Sequence, residues 1–472
     1  MNGKYMRILN LLIISAFISL LMISCVKYKP KPLVPENIIK EIDALRDVDF
    51  VSAKGELPFM KAATLMSEKG PLLLAIKAKY ETVQSVANIK TPWFNPSLEF
   101  GPEAGFDLDP SATNKIVPFI SLGFTIPFGG KLKKNDDLNK AKALRAFIEV
   151  QVQHREMYLD LREKYTQLYL SFQKLKVQQD LVKSSKLMLK LSKTMMKVGA
   201  TTALDVGMIE LESNKEELEL LEIQNELGEF RARLSVLLGV DATKIKHISK
   251  SSLQQLDDEI PAYKKLKSIL VKNHLELARF RFDYEVAEKS LRVEISKQYP
   301  DFNFGVSHAG EAGDKSYTLG LSIGIDIPIF DKNQQGIAQA TKEREEIRKD
   351  YIATVHKALS ELKRSFESIK NNIKKQKLLE EVIKPRAEGN LKMARQALET
   401  GGIDALKYLD VLRTYQETMK DVALIESDIR LAWIDLEKVL GVPLTPYPGE
   451  NKFDISIDPI KASKTKETKN AK

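Results

Sequence analysis

The stretch Ser316-Tyr-Thr-Leu-Gly-Leu-Ser-Ile-Gly-Ile-Asp-Ile-Pro-Ile329 decides the fold class. Its period is two. Tyr317, Leu319, Leu321, Ile323, Ile325, Ile327 and Ile329 make one face, and Ser316, Thr318, Gly320, Ser322, Gly324, Asp326 and Pro328 the other. Such alternation puts successive side chains on opposite sides of a β-strand. Two other stretches repeat it. Ile120, Leu122, Phe124, Ile126 and Phe128 alternate with Ser121, Gly123, Thr125 and Pro127, and Phe302, Phe304 and Val306 with Asp301, Asn303, Gly305 and Ser307. Strands of about 10 residues, large and apolar on one face and small or polar on the other, suit a transmembrane barrel with a wet lumen. A soluble antiparallel sheet with one buried face gives the same alternation. The unbroken set of large apolar residues over 317–329 favours the membrane.

Working outward, the chain is a tandem duplication. Gly199-Ala-Thr-Thr-Ala-Leu204 matches Gly401-Gly-Ile-Asp-Ala-Leu406, and Val236-Leu-Leu-Gly-Val240 matches Lys438-Val-Leu-Gly-Val442, both at an offset of 202. Gly123–Phe128 matches Gly324–Ile329 at 201, and Pro96–Gly101 matches Pro300–Gly305 at 204. A period this long excludes a solenoid. It gives two similar units, 58–240 and 262–442, joined by a linker over 241–261. Each unit reads as a helical stretch (about 58–89 and 263–296), two strands, a very long helix (about 132–197 and 333–399), a Gly-containing turn and a closing helix (about 203–238 and 404–440). Gly239 and Gly441 stop the closing helices.

In the long helices, Tyr158, Leu161, Tyr165, Leu168, Phe172 and Leu175 are spaced alternately three and four apart. Ile352, Val355, Leu359, Leu362, Phe366, Ile369 and Ile373 do the same. That is the 3.5-residue period of helices sharing a seam. About 65 residues at 1.5 Å each make a rod of roughly 100 Å, which must pack against other long helices. Taken alone, such helices suit a plain coiled-coil tether. Pro385 lies inside the second helical pattern, where it should kink the rod. The expected fold class is mainly α with a transmembrane β-barrel portion and four strands per chain. Lipid tolerates no open sheet edge, and the smallest barrels need about eight strands. Two, three or four copies would therefore share the barrel, with the loops near 102–115 and 308–315 facing outward.

The N-terminus reads as an export signal over 1–24. Lys4 and Arg7 precede the apolar run Ile8–Ile23, and Ser24-Cys25 ends it. Leu21-Met-Ile-Ser-Cys25 resembles a bacterial lipoprotein box, which implies a covalent lipid on Cys25, the chain's single cysteine. Residues 25–57 read as a Pro- and Lys-containing linker, and 443–472 as a polar, Lys-rich tail that begins as a wrap.

Composition excludes much else. The 472 residues carry 73 Lys and Arg against 64 Asp and Glu, a net charge of +9. The signs are interspersed, as on solvated helices, so nucleic acid is not an expected partner. One cysteine excludes a disulfide framework and multi-cysteine metal sites. The five histidines form no helical i, i+4 pair, and no phosphate loop, metalloprotease helix or serine elbow occurs. Neither a cofactor, a metal site nor an enzymatic activity is expected.

At this point the chain resembles the outer membrane factors, the TolC-like channels of tripartite efflux and type I secretion systems. Val382-Ile-Lys-Pro385-Arg-Ala-Glu388, Ala394 and Gly401-Gly-Ile-Asp-Ala-Leu406-Lys-Tyr-Leu-Asp410-Val-Leu carry the resemblance, as do Pro127-Phe-Gly-Gly130-Lys and Pro328-Ile-Phe-Asp331-Lys. It implies a homotrimer with a shared 12-stranded barrel in the outer membrane and a long α-helical barrel in the periplasm. There it would meet an adaptor (membrane fusion) protein and an inner-membrane transporter. A lipid on Cys25 resembles the acylated branch, common among drug and metal efflux channels. The two turns would form the periplasmic tip, with Val198, Gly199, Leu204, Gly401, Gly402 and Leu406 in adaptor contact. Asp205, Lys407 and Asp410 are gate candidates; Lys407 stands where the family often has an acid, and could pair with Asp205. Solvated acids near helix starts are the simpler reading of Asp205 and Asp410. Small-molecule or metal efflux is the first expectation. Protein export and a non-channel envelope tether are the alternatives.

Overall fold

A computed structural model describes residues 28–46, 50–105, 115–199, 201–256, 259–310, 317–403 and 405–450. The export signal, Cys25 and the tail beyond Glu450 lie outside the described residues, as do most of both loops between paired strands. The chain divides into two compact units, with the boundary after residue 48. The first holds helix α1, Pro35–Arg46, within what the sequence reads as a plain linker. A proline at its start and Glu36 in its first turn favour a helix there. The segment read as a linker over 25–57 thus carries a helix of its own.

All other elements belong to the second unit. The first repeat holds α2 (Phe59–Lys69), α3 (Pro71–Ala87), β1 (Ser97–Gly105), β2 (Lys115–Ile126), α4 (Lys131–Lys197) and α5 (Ala203–Leu238). The second holds α6 (Tyr263–Asn273), α7 (Leu275–Ser296), β3 (Phe302–Gly310), β4 (Tyr317–Ile325), α8 (Gln334–Leu378), α9 (Lys384–Glu399) and α10 (Ala405–Leu440). The order matches the duplication, with two refinements. Each leading helical stretch is a helix pair. The first breaks at Gly70-Pro71, where the proline starts the second helix, and the second breaks at His274. The last long helix is not a simple kinked rod. A π turn over Leu379–Ile383 separates α8 from α9 directly before Pro385. Proline has no N–H to donate four residues back, and the widened turn accommodates that loss.

The four strands form one antiparallel sheet in the order β1-β2-β3-β4. Its register lines up the two faces across all strands. Leu98, Leu122, Val306 and Leu321 form one row, and Phe124, Phe304 and Ile323 another. Glycine and small polar residues share the opposite face. Ser97 stands across from Gly123, Ser307 from Gly320, and Ser322 from Gly305. β4 ends at Ile325, short of the alternating pattern, because Pro328 cannot donate to a ladder.

Among the described residues, the extensive helix contacts run as a row. Beside the sheet it is α3, α4, α7, α8; toward the far end it is α5, α4, α10, then α8 and α9. The first seam is buried as expected: Tyr158, Leu161, Tyr165 and Leu168 have no exposed surface. The second is only partly so. Leu362 and Ile369 are buried, Phe366 is half-buried against Tyr263, and Ile352 is 57% exposed. A row buries its middle and leaves its ends open, which accounts for the difference.

One buried network ties α10 and the segment after it to the first repeat. Arg162, on α4, donates to both carboxylate oxygens of Glu437 at 2.9 Å and of Glu450 at 2.8 and 2.9 Å. Burial alone would pull its guanidinium down, but Glu437, Tyr447 and Glu450 more than offset that and raise it. Tyr447 stacks on Phe59 at 3.7 Å between ring centres. The wrap after α10 is therefore part of the core.

Candidate functional site

Two features carry the functional reading: an apolar sheet face at one end of α4 and the helical turns at the other. With 67 residues, α4 separates them by about 100 Å. No helix among the described residues is long and apolar enough to cross a membrane. The sheet is another matter. Phe100, Leu319, Leu321 and Ile323 are 71–82% exposed. A soluble sheet buries its apolar face against a partner layer; here that face is the open one. It therefore answers the pattern of a membrane strand rather than of a soluble sandwich.

The two turns differ in detail. α4 ends on Gly199 in the left-handed region, φ +75°, its N–H bonded to the Met196 carbonyl. α9 ends on Gly401, also at φ +75°. Gly401 N–H bonds to Leu398 O at 3.2 Å and Gly402 N–H to Ala397 O at 2.7 Å, the paired bonds of a Schellman stop. Only glycine enters that backbone region without strain. Val198 and Leu204 are about three-quarters exposed, a pair of apolar side chains presented at the first turn. Leu406 lies in the first turn of α10.

The gate candidates are held in distinct ways. Asp205 closes a capping box at the start of α5. Its carboxylate accepts from the Thr202 hydroxyl at 2.6 Å, the Thr202 N–H at 2.9 Å and the Thr201 hydroxyl at 3.1 Å. The Thr202 hydroxyl, then its backbone N–H, hold the Asp205 carboxyl below the usual range. Asp410 pairs with Arg413 at 3.1 Å on α10, and exposed Lys407 lies one turn before it. These contacts occupy Asp205 and Asp410 within their own helices. The capping box was legible as Thr-Thr-Ala-Leu-Asp, a threonine three residues before an acid.

Among the described residues no group of three or more His, Cys, Asp or Glu could hold a metal ion. The cavities are ion-paired grooves. One of about 420 Å³ lies between α3, α4 and α7, where Arg279 bridges Glu149 and Glu156. Another, of about 250 Å³, lies between α4, α5 and α10, with Lys174 facing Glu226 and Lys420 facing Glu219. Neither brings a nucleophile to a general base.

The family model for outer membrane efflux proteins matches residues 65–240 and again 266–442. The cobalt-zinc-cadmium resistance protein CzcC of Cupriavidus metallidurans is 25% identical over 234 residues. That match covers 49% of this chain and only 54% of CzcC, about half the length of the relative. Among solved structures, CusC, described with conformational changes accompanying folding and transmembrane channel formation, aligns at a TM-score of 0.65 and 15% identity. It covers 83% of this chain and 93% of CusC. The CmeC outer membrane channel of Campylobacter jejuni aligns at 0.66 and 13% identity, covering 93% of each chain. VceC, an outer membrane protein of Vibrio cholerae, aligns at 0.65 and 15%, covering 82% of this chain and 96% of that one.

Proposed function

Because this chain belongs to the outer membrane efflux protein family, we propose that it is the outer membrane conduit of a tripartite efflux system, passing small molecules or metal ions to the exterior without catalysis. The observation that carries the reading is the four-stranded sheet with its apolar face exposed and, among the described residues, both edges, β1 and β4, unpaired. Four strands cannot close a barrel, and lipid penalises every unpaired backbone group. Copies of the chain must therefore complete it. The helices argue the same way. α5 and α9 end the row, and Met208, Leu211, Leu218 and Met393 stand exposed on them in the single chain. Three copies, the family's number by resemblance, give 12 strands and a ring of helices.

In this reading the glycine-stopped turns meet a periplasmic adaptor through Val198 and Leu204, and an inner-membrane transporter supplies the energy. A lipid on Cys25 anchors the segment before α1 in the outer membrane. The half-length likeness to a cobalt-zinc-cadmium resistance protein supports metal ions as cargo. Asp410 and Lys407 border the opening. Asp205, held in its capping box, shapes the turn.

Single-channel recording from purified full-length protein in planar bilayers tests the proposal. Reproducible steps are expected, and Asp410→Ala should change cation selectivity while the oligomer persists on native gels. An inserted oligomer that never conducts would overturn the conduit and leave a tether. An Asp410→Ala channel with unchanged selectivity would move the constriction elsewhere on the helices.

A further inference from the structure

The sheet joins its helices through two short passages, Phe128–Lys131 and Ile329–Asn333, and through the segment from Thr91 to Pro96 that leads into β1. All three carry exposed aromatic residues. Trp93, Phe94, Phe128 and Phe330 are open, Phe330 at 91%, and Tyr299 lies beside them. A band of aromatic side chains at one end of an exposed apolar sheet face is the interfacial girdle of a membrane barrel.

The lysines around this band are unevenly employed. Lys131 is paired to Asp301 at 2.6 Å, and Lys134 sits over the Tyr299 ring at 5.8 Å. Lys297 is paired to Glu294. Lys90, Lys133 and Lys332 are exposed and form no ion pair within 4 Å among the described residues. Several nearby acids accept hydrogen bonds. The bonds from Thr91, and with them nearby Lys90, lower the Asp136 carboxyl, and Asp137 follows Lys133 by one helical turn. Asp136 accepts from the Thr91 N–H at 2.7 Å and hydroxyl at 2.6 Å, Glu294 accepts from Asn333, and Asp331 accepts from the Asn333 N–H. Asp326 belongs to the small, polar face of the β4 pattern, the side opposite the apolar rows. The Thr91–Asp136 bonds matter for position. They pin the approach to β1 onto the first turns of α4, so Lys90, Trp93 and Lys133 are held at one place by rigid elements.

We infer that this collar is a binding surface for anionic phospholipid headgroups, with Lys90, Lys133 and Lys332 supplying the charge and Trp93 marking the depth of the interface. The inference rests on the membrane reading above. An exposed ammonium outside any close ion pair and beside apolar surface is favoured where a lipid phosphate lies within a Debye length and the aromatic ring occupies the headgroup boundary. In a closed ring every copy would present the same three cations to one leaflet.

The chain has two tryptophans, and Trp433 is 1% exposed in the helical core, so Trp93 reports the collar nearly alone. The full-length protein is reconstituted in phosphatidylcholine vesicles doped with an equal mole fraction of either brominated phosphatidylglycerol or brominated phosphatidylcholine. Trp93 emission should be quenched more by the anionic lipid, with an apparent preference of about 2- to 5-fold. The preference should vanish in Lys90→Gln/Lys133→Gln/Lys332→Gln and at high salt. It should persist in Lys370→Gln/Lys374→Gln/Lys392→Gln, placed along α8 and α9. Trp93→Phe identifies the signal. Equal quenching by both lipids overturns the collar and leaves the membrane reading standing. No quenching by either lipid overturns both.

Discussion

At the scale of single residues, an acid proposed for a gate can also serve as a helix cap, and the hydrogen bonds of Asp205 show the cap. Asp205 accepts three, all from Thr201 and Thr202. Thr202→Ala should therefore loosen the first turn of α5 by about 1 kcal/mol, seen as faster amide exchange over 203–208. The pH dependence follows from the lowered carboxyl. A depressed carboxylate stabilises the fold above its unfolded value, about 3.9, and that contribution is lost as pH falls through the folded value. Protection of this turn should fall on acidification below that range, and less so in Asp205→Asn. Arg162 is the opposite case, a cation wholly inside the protein. Glu437→Ala leaves it one carboxylate short and should cost about 3–5 kcal/mol, measured by denaturant unfolding. A loss within error of zero would mean that the wrap does not depend on this network. Nothing in the sequence foretold it. Arg162 lies 275 and 288 residues from Glu437 and Glu450, and long-range pairing of buried charges leaves no periodic trace.

Periodicity made the elements legible where one face is buried or greasy throughout. The 3.5-residue spacing of Tyr158 to Leu168 and the two-residue alternation of β4 both survive in the structure. It did not reveal helix α1, whose short amphipathic pattern sits among prolines and lysines, nor the π turn, whose phase shift falls beyond Ile373, the last residue of the spaced seam. Nor could spacing say that the second seam is half open. Phe366 follows the heptad, yet its neighbours cover it only in part. Phe366→Ala should thus cost about 2 kcal/mol in a single chain, below the 3–5 expected of a fully buried ring, and thermal unfolding of the detergent-dispersed monomer against the oligomer would separate the two values. The sheet makes a sharper demand. Leu321 lies mid-row on the open apolar face. Leu321→Arg should destabilise the membrane-inserted protein by about 2–4 kcal/mol, whereas Ser322→Thr on the opposite face should be tolerated. Equal effects in a folding assay with lipid vesicles would argue that the apolar face does not meet lipid.

For the whole molecule, the proposed conduit requires that copies of the chain close on one another. Among the described residues its sheet has two open edges, its helices form a row with two open ends, and both sets of ends carry apolar surface. Strand count permits two, three or four copies, and the family resemblance selects three. The central claim is that copies of this chain jointly close one membrane barrel. Native mass spectrometry of the full-length protein released from detergent micelles tests it most directly. The account predicts a single dominant species of three chains that survives gentle activation. A stable monomer in a membrane-inserted, heat-resistant state would contradict it, because four strands would then be holding their edges in lipid unpaired.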